Sequence, residues 1–133
     1  MARILGIDLG ERRIGIAIST PEGGLSVPLR ILDARSDEAD AKAIADIAKA
    51  EDVDRLVIGH PISMDGEVGS QARRVETFAR RLEEISGLPV ELCDERLSSA
   101  QAQRTVERGK PVDDVAASII LQTYLDKNRS EHP

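Results

Sequence analysis

Acidic residues stand at the ends of two strand-like runs of the sequence and at the start of a later helix-like segment. They are Asp8, Asp94, Glu95, Asp113 and Asp114. Carboxylates that converge repel one another unless cations hold them, and hard cations such as Mg²⁺ or Mn²⁺ take oxygen ligands. Two such ions about 4 Å apart activate a water and stabilise the leaving oxygen of a phosphodiester. If the fold brings these acids together, the chemistry they indicate is metal-dependent phosphodiester hydrolysis.

Each acid also has a structural explanation. Asp8 lies in an apolar run, where an unpaired carboxylate is costly, so a functional role explains it better than a structural one. Asp94 and Glu95 can instead pair with Arg96 or cap a turn. Asp113 can cap the helix that follows it. On local evidence alone, these alternatives stay open for all but Asp8.

Helical spacing does not separate Asp113 from Asp114. Asp113 shares a face with small and apolar residues, which predicts that it points toward the core. Those residues are Ala116, Ala117, Ile120 and Tyr124. Asp114 shares a face with Leu121 and Leu125, so it has a similar claim.

Nine elements must position these acids. Five short apolar runs predict strands, at Arg3–Leu9, Ile14–Ile18, Leu25–Leu32, Leu56–Gly59 and Val90–Cys93. Pro28 cannot donate a ladder hydrogen bond, so it predicts an edge position for the third strand. Helical spacing predicts four helices: Asp37–Ala50, a helix capped by Ser70 and ended by Gly87 and Pro89, a helix from Ser98 or Ser99 to about Arg108, and one from Asp113 or Asp114 through Leu125.

The element order βββαβαβαα predicts an α/β fold with a five-stranded mixed sheet. Strands joined by helical crossovers run parallel, so the first, fourth and fifth strands should be parallel and two further strands antiparallel. This is the element order of the ribonuclease H fold. Ligands gather beyond the carboxyl ends of parallel strands. Asp8, the loop from His60 to Gly69, and the pair Asp94 and Glu95 should therefore share one rim of the sheet.

Composition predicts one globular domain. The 133 residues carry a net charge of −6, which disfavours nucleic acid only mildly because bound metals neutralise an acidic cluster. Residues 1–126 should form the domain and residues 127–133 a polar, frayed tail. Cys93 is the only cysteine, and the first residues lack the apolar stretch of a signal peptide, which favours the cytoplasm. We expect a monomer or a weak homodimer with no membrane contact.

Cations near the acidic segments are the candidates for contact with a nucleic-acid backbone. They are Arg12, Arg13, Arg96, Arg104, Arg108 and Lys110. Four arginines at positions 73, 74, 80 and 81 stand at ion-pair spacing from glutamates, which predicts a solvated, salt-bridged helix face. Aromatic residues make up only 2% of the chain, so recognition should read backbone and shape more than stacked bases.

Four segments resemble, in order and spacing, the motifs of the YqgF family of pre-16S rRNA nucleases. They are GIDLGERRIGIA at 6–17, VIGHPISMDG at 57–66, DERLSS at 94–99 and VDDVAASIILQ at 112–122. His60 stands where the family has leucine, Ser63 where it usually has asparagine and Ser98 where it usually has threonine. These departures leave the acids untouched, and the four motifs span nearly the whole chain.

The resemblance implies a ribonuclease H-like fold related to Holliday junction resolvases, and a role in trimming the 5′ end of the 16S rRNA precursor. Matched motif by motif, Asp8, Glu95 and Asp113 fall on the family's proposed acidic catalytic positions, where they would hold two Mg²⁺ or Mn²⁺ ions. Asp94 and Asp114 are the alternative metal ligands. The family lacks an acid at the end of the fourth strand, and Gly59 and His60 agree with that.

Other functions fit less well or stay open. An actin-type ATPase needs two domains around its nucleotide, and no Gly-x-Gly-x-x-Gly motif supports dinucleotide binding. Resolution of branched DNA would use the same active-site chemistry as rRNA processing. A non-catalytic module that binds RNA or acts in transcription is the third alternative.

Overall fold

The computed structural model describes residues 3–61, 68–95 and 113–131, without the side chains of residues 113, 114 and 129–131. In chain order these residues form β1 Ile4–Leu9, β2 Arg13–Ser19, β3 Ser26–Asp33, α1 Asp37–Ala50, β4 Arg55–His60, α2 Ser70–Ser86, β5 Val90–Asp94 and α3 Asp113–Glu131. The helix predicted between Ser98 and Arg108 lies outside these ranges.

The strands form one mixed sheet in the order β3-β2-β1-β4-β5. β1 pairs antiparallel with β2, and β2 pairs antiparallel with β3. β4 pairs parallel with both β1 and β5. The predicted mixed sheet of three antiparallel and two parallel strands is confirmed. β3 is an edge strand, as Pro28 predicts, because proline has no N–H to donate to a further strand.

Successive side chains of the strands point alternately to the two faces of the sheet, and each face has its own hydrophobic core. On one face of the sheet, Ile7, Ile16 and Ile58 pack with Phe78 of α2 and with the apolar side of α1. On the other face, Ala17 and Val57 pack against α3 through Ala116, Ala117, Ile120, Leu121, Tyr124 and Leu125. Burial of one such isoleucine, leucine or phenylalanine contributes about 1.5–3 kcal/mol. We call the side of the sheet that carries α1 and α2 the α1–α2 face, and the opposite side the α3 face.

The helix ends differ in part from the prediction. α1 begins as predicted, with Ser36 Oγ accepting a hydrogen bond from Ala39 N. The N-cap of α2 is Gly69, so the prediction of a Ser70 cap is wrong. Gly87, with φ of 71°, ends α2 as predicted. None of the helices in the described ranges is long and apolar enough for a membrane crossing.

α3 continues past the predicted end at Leu125 to Glu131. The stretch 127–131 is therefore helical where the sequence predicted a frayed tail. Tyr124 and Leu125 are buried, so their packing on the sheet holds the last turns in place, although the residues beyond them are polar.

α3 packs close to the sheet at two glycines. A Cβ added at Gly6 would lie 2.6 Å from Cβ of Leu121, and one at Gly59 would lie 2.5 Å from Cδ1 of Ile120. Neither position has room for a side chain. The absence of a side chain at both glycines lets the helix approach β1 and β4.

Candidate active site

Asp8 is buried near the carboxyl end of β1. Its side chain is 4% exposed, and its Cα partner on β2 is Gly15. Side chains two residues apart on a strand point to the same face, and Gly6 faces α3. The Asp8 carboxylate therefore lies on the α3 face.

Glu95 is the second buried acid, directly after β5, with 1% of the residue exposed. A Cβ added at Gly59 would lie 3.2 Å from Cγ of Glu95, which places this side chain on the α3 face as well. β4, which carries Gly59, lies between β1 and β5. The backbones that carry Asp8 and Glu95 are therefore two strand spacings apart, about 10 Å across the sheet. Asp8 and Glu95 thus lie on one face at one rim.

The direction of α3 places its first residue toward the same rim. Arg55, at the start of β4, donates a 2.8 Å hydrogen bond to Tyr124, whereas Gly59, near the end of β4, lies against Ile120. α3 therefore runs antiparallel to β4. Asp113 begins the helix two turns before Ile120, about 10 Å along the axis. The side chains of residues 113 and 114 lie outside the described part of the chain.

Asp94 takes a different orientation from Glu95. Cys93 packs in the core under α3, so alternation along β5 directs Asp94 to the α1–α2 face. Its Cα partner is His60, the last residue of β4. His60 Nε2 lies 2.8 Å from Oε2 of Glu76 in α2, a partner that sequence spacing does not indicate. Of the two adjacent acids, Glu95 is the one that shares a face with Asp8.

The predicted backbone-contacting cations divide into two groups. Arg12 lies in the β1–β2 turn and Arg13 is the first residue of β2, and both are exposed. The turn begins two residues after Asp8. The turn is closed by a 3.0 Å hydrogen bond from Gly10 N to Arg13 O. The other candidates, Arg96, Arg104, Arg108 and Lys110, fall outside the described residues.

The arginines of α2 match the predicted salt-bridged face only in part. Arg81 pairs with Glu84 in its own helix at 3.7 Å, and also with Glu38 of α1. Arg74 pairs instead with Asp37 of α1 at 3.5 Å. Both arginines therefore join the first turn of α1 to α2, a connection that helical spacing within α2 does not reveal.

The donor set at the rim suits a hard divalent cation. Asp8 and Glu95 offer carboxylate oxygens, and burial of two carboxylates on one face is costly without compensating positive charge or a proton. Within the described residues, no three histidine, cysteine, aspartate or glutamate side chains are arranged to hold a metal ion. A complete set of ligands would therefore need a side chain beyond those described, and Asp113 begins α3, whose first residue lies toward this rim.

Comparison with known families decides the assignment. Residues 2–127 match the RuvX family, whose description is Holliday junction resolvase. The chain belongs to the RuvX family. RuvX is the YqgF family, so the resemblance carried by the four sequence motifs is confirmed.

Curated relatives of this RuvX-family chain carry the name "Putative pre-16S rRNA nuclease". One from Chloroflexus aggregans is 42% identical over 96% of this chain and 95% of its own length. One from Caldanaerobacter subterraneus subsp. tengcongensis is 36% identical over 96% of this chain and 99% of its own length. The family is one of nucleases, that is, of phosphodiester hydrolases.

Solved structures with the same fold include Holliday junction resolvases. The RuvX-family chain matches T. thermophilus RuvC in complex with Holliday junction substrate with a TM-score of 0.68 and 12% identity, over 99% of this chain and 98% of the other. It matches the fowlpox virus Holliday junction resolvase with a TM-score of 0.55 and 12% identity, over 94% and 99% of the two chains. At this identity the likeness shows the fold.

Proposed function

We propose that this chain is a metal-dependent nuclease that hydrolyses phosphodiester bonds during 5′-end processing of the 16S rRNA precursor in the cytoplasm. The observation that carries the proposal is the pair of buried carboxylates, Asp8 and Glu95, on one face of the sheet on either side of Gly59. The names of the relatives support precursor rRNA as the substrate.

In the proposed mechanism, Asp8, Glu95 and Asp113 would hold two divalent cations, Mg²⁺ or Mn²⁺, with Asp114 as the alternative to Asp113. Asp94, the other alternative ligand that the sequence offered, fits less well, because alternation along β5 directs it to the α1–α2 face. Such cations, when bound, supply an activated water and stabilise the leaving oxygen. Gly59 lies between the strands that carry Asp8 and Glu95, and its lack of a side chain leaves room there for Ile120 and for the stem of Glu95. Arg12 and Arg13 are exposed beside the rim, where they contact the phosphates of the substrate backbone.

The test replaces single carboxylates. Asp8→Asn and Glu95→Gln should each lower cleavage of a precursor 16S RNA by more than about 100-fold, beyond the roughly 10–100-fold typical of residues that only support metal ligands. Asp40→Asn is the matched control. Asp40 is equally buried, but its carboxylate accepts hydrogen bonds from Arg35 N at 3.1 and 3.2 Å, and it belongs to α1, on the opposite face of the sheet from Asp8.

Asp40→Asn should lower the unfolding temperature and leave cleavage per folded molecule unchanged. Circular dichroism establishes that Asp8→Asn remains folded, and calorimetric titration with Mn²⁺ measures its loss of metal binding. An Asp8→Asn protein that still cleaves, and does so without divalent ions, would contradict the proposal.

A second candidate function is resolution of branched DNA. The description of the RuvX family as Holliday junction resolvase favours it. Competition between a precursor 16S RNA and a four-way DNA junction for the same enzyme separates the two substrates. RNA binding that survives loss of Asp8, Glu95 and Asp113, with no cleavage by the unaltered protein, would instead favour a non-catalytic module. We expect a monomer or a weak homodimer, which sedimentation measures.

A further inference from the structure

Two side chains of α2 reach the backbone that directly follows Asp8. Gln71 Nε2 donates a 2.7 Å hydrogen bond to the carbonyl oxygen of Leu9, and Arg74 Nη1 donates a 3.2 Å hydrogen bond to that of Gly10. We infer that Gln71 and Arg74 are positioning residues that hold the end of β1 so that Asp8 keeps its place as a metal ligand. This inference rests on the proposed function.

The two carbonyl groups lie at the start of the short turn that follows Asp8. β1 and β2 are joined by three residues, and the turn closes on itself through Gly10 N and Arg13 O. The carbonyls of Leu9 and Gly10 point away from that bond to the side chains of α2. Without those donors, the peptide groups after Asp8 would have to rotate toward water to recover hydrogen bonds. Such a rotation would also turn the Asp8 carboxylate.

α2 is itself fixed at this end of the sheet, so it acts as a rigid support. Arg74 Nη2 lies 3.5 Å from Oδ1 of Asp37 in the first turn of α1. Glu76 lies 2.8 Å from His60 at the end of β4. The first two turns of α2 therefore connect the ends of β1 and β4, the two strands whose residues Asp8 and Gly59 lie beside one another at the rim.

The chain provides a matched control for Arg74. Arg81 also lies in α2 and also pairs with a first-turn acid of α1, Glu38. Within the described part of the chain, Arg81 donates its hydrogen bonds to Glu38 and none to the β1–β2 turn. Arg74→Met and Arg81→Met therefore both remove an ion pair between the same two helices, and only Arg74→Met removes a hydrogen bond from the backbone beside Asp8.

The experiment titrates the full metal-free chain with Mn²⁺ and measures the dissociation constant by calorimetry. Gln71→Met and Arg74→Met should each weaken Mn²⁺ binding by about tenfold, the lower end of what residues supporting metal ligands contribute. Arg81→Met should stay within about twofold of the unaltered protein. At saturating Mn²⁺, Gln71→Met and Arg74→Met should each have a lower kcat with little change in KM, since the contacts with the substrate are intact.

Thermal unfolding of each variant in the presence of a chelator measures its stability without bound metal, so that a loss of stability can be told apart from a loss of Mn²⁺ affinity. The inference is supported if Arg74→Met and Arg81→Met lose similar stability and only Arg74→Met loses Mn²⁺ affinity. It is overturned if Gln71→Met and Arg74→Met bind Mn²⁺ as tightly as the unaltered protein, or if Arg81→Met weakens binding equally. If one of Gln71→Met and Arg74→Met does not fold, the other decides the outcome. Absence of Mn²⁺ binding by the unaltered protein would overturn the proposed metal centre as well.

Discussion

A single methyl group added at Gly59 tests the packing between β4, α3 and Glu95. A Cβ at this position would lie 2.5 Å from Cδ1 of Ile120 and 3.2 Å from Cγ of Glu95. Both distances are shorter than the usual carbon–carbon separation of about 3.5–4.0 Å. Gly59→Ala must therefore displace both side chains, and we expect it to lower stability and cleavage together.

The size of the stability loss follows from two opposing effects. An extra methyl group in a packed core costs about 1–3 kcal/mol. Alanine restricts the unfolded chain relative to glycine and returns about 0.4–1 kcal/mol, because residue 59 has a strand conformation open to alanine. The net loss should be about 1–2 kcal/mol. For a chain of this size, Tm should fall by roughly 3–10 °C.

The valine variant of Ile120 separates the two displaced side chains. Ile120→Val removes Cδ1, the atom in the closer contact, at a cost of about 0.5–1.5 kcal/mol by itself. In the double variant with Gly59→Ala, the two losses should be less than additive by about 1 kcal/mol. Cleavage should stay low in the double variant, since the contact with Glu95 remains.

Urea unfolding of the four proteins, together with cleavage rates at saturating Mg²⁺, measures both expectations. Additive losses of stability would mean that Ile120 does not rest on Gly59. Full recovery of cleavage in the double variant would mean that Glu95 is not displaced by a methyl group at this position, and the geometry assigned to the site would be wrong.

Two further predictions concern ionisable groups buried between α3 and the sheet. Burial raises the pKa of Tyr124 above its ordinary value of 10.0, and the hydrogen bond to Glu91 raises it further. The protonated tyrosine should therefore contribute its full stabilisation below pH 10.0, and this contribution should be lost as the pH rises through the raised pKa. Since Tyr124 is the only tyrosine and the chain has no tryptophan, phenolate absorbance should appear at higher pH in the native than in the urea-unfolded protein, and Tyr124→Phe should abolish the signal. Burial likewise raises the pKa of the Cys93 thiol. Iodoacetamide should therefore label Cys93 at least about tenfold more slowly in the native protein than in the unfolded protein. Equal labelling rates, measured by mass spectrometry, would contradict the buried position of Cys93.

The topology of the sheet was predictable because it follows from the order of elements. A helix between two strands favours a parallel crossover, and short turns favour antiparallel pairs, so the relative directions of the five strands needed no tertiary information. Pro28 marked the edge because its missing N–H is a local property. The burial of Asp8 was also foreseeable, since the nearly continuous apolar run around it is typical of a strand that is covered on both faces.

The contacts around the rim were not predictable in the same way. His60 and Glu76, or Gln71 and the carbonyl of Leu9, are brought together only when α2 packs on the sheet, and no periodicity in the sequence couples them. The choice between Asp94 and Glu95 depends on which residues of β5 face α3. The sequence of that strand does not alternate clearly, because apolar residues occupy both 92 and 93.

The small residues on the α3 face connect the packing of the fold to the geometry of the acids. A Cβ at Gly6 would lie 2.6 Å from Cβ of Leu121 and 3.2 Å from the carbonyl oxygen of Ala117, so the body of the helix rests on β1. A Cβ and a carbonyl oxygen move only with the backbone, and no rotamer change relieves such a contact. Because α3 begins at Asp113, any residue that lifts the helix from position 6 also moves the start of the helix away from the strand ends. If Asp113 acts with Asp8 as proposed, the absence of a side chain two residues before Asp8 is therefore a requirement of the site as much as of the core.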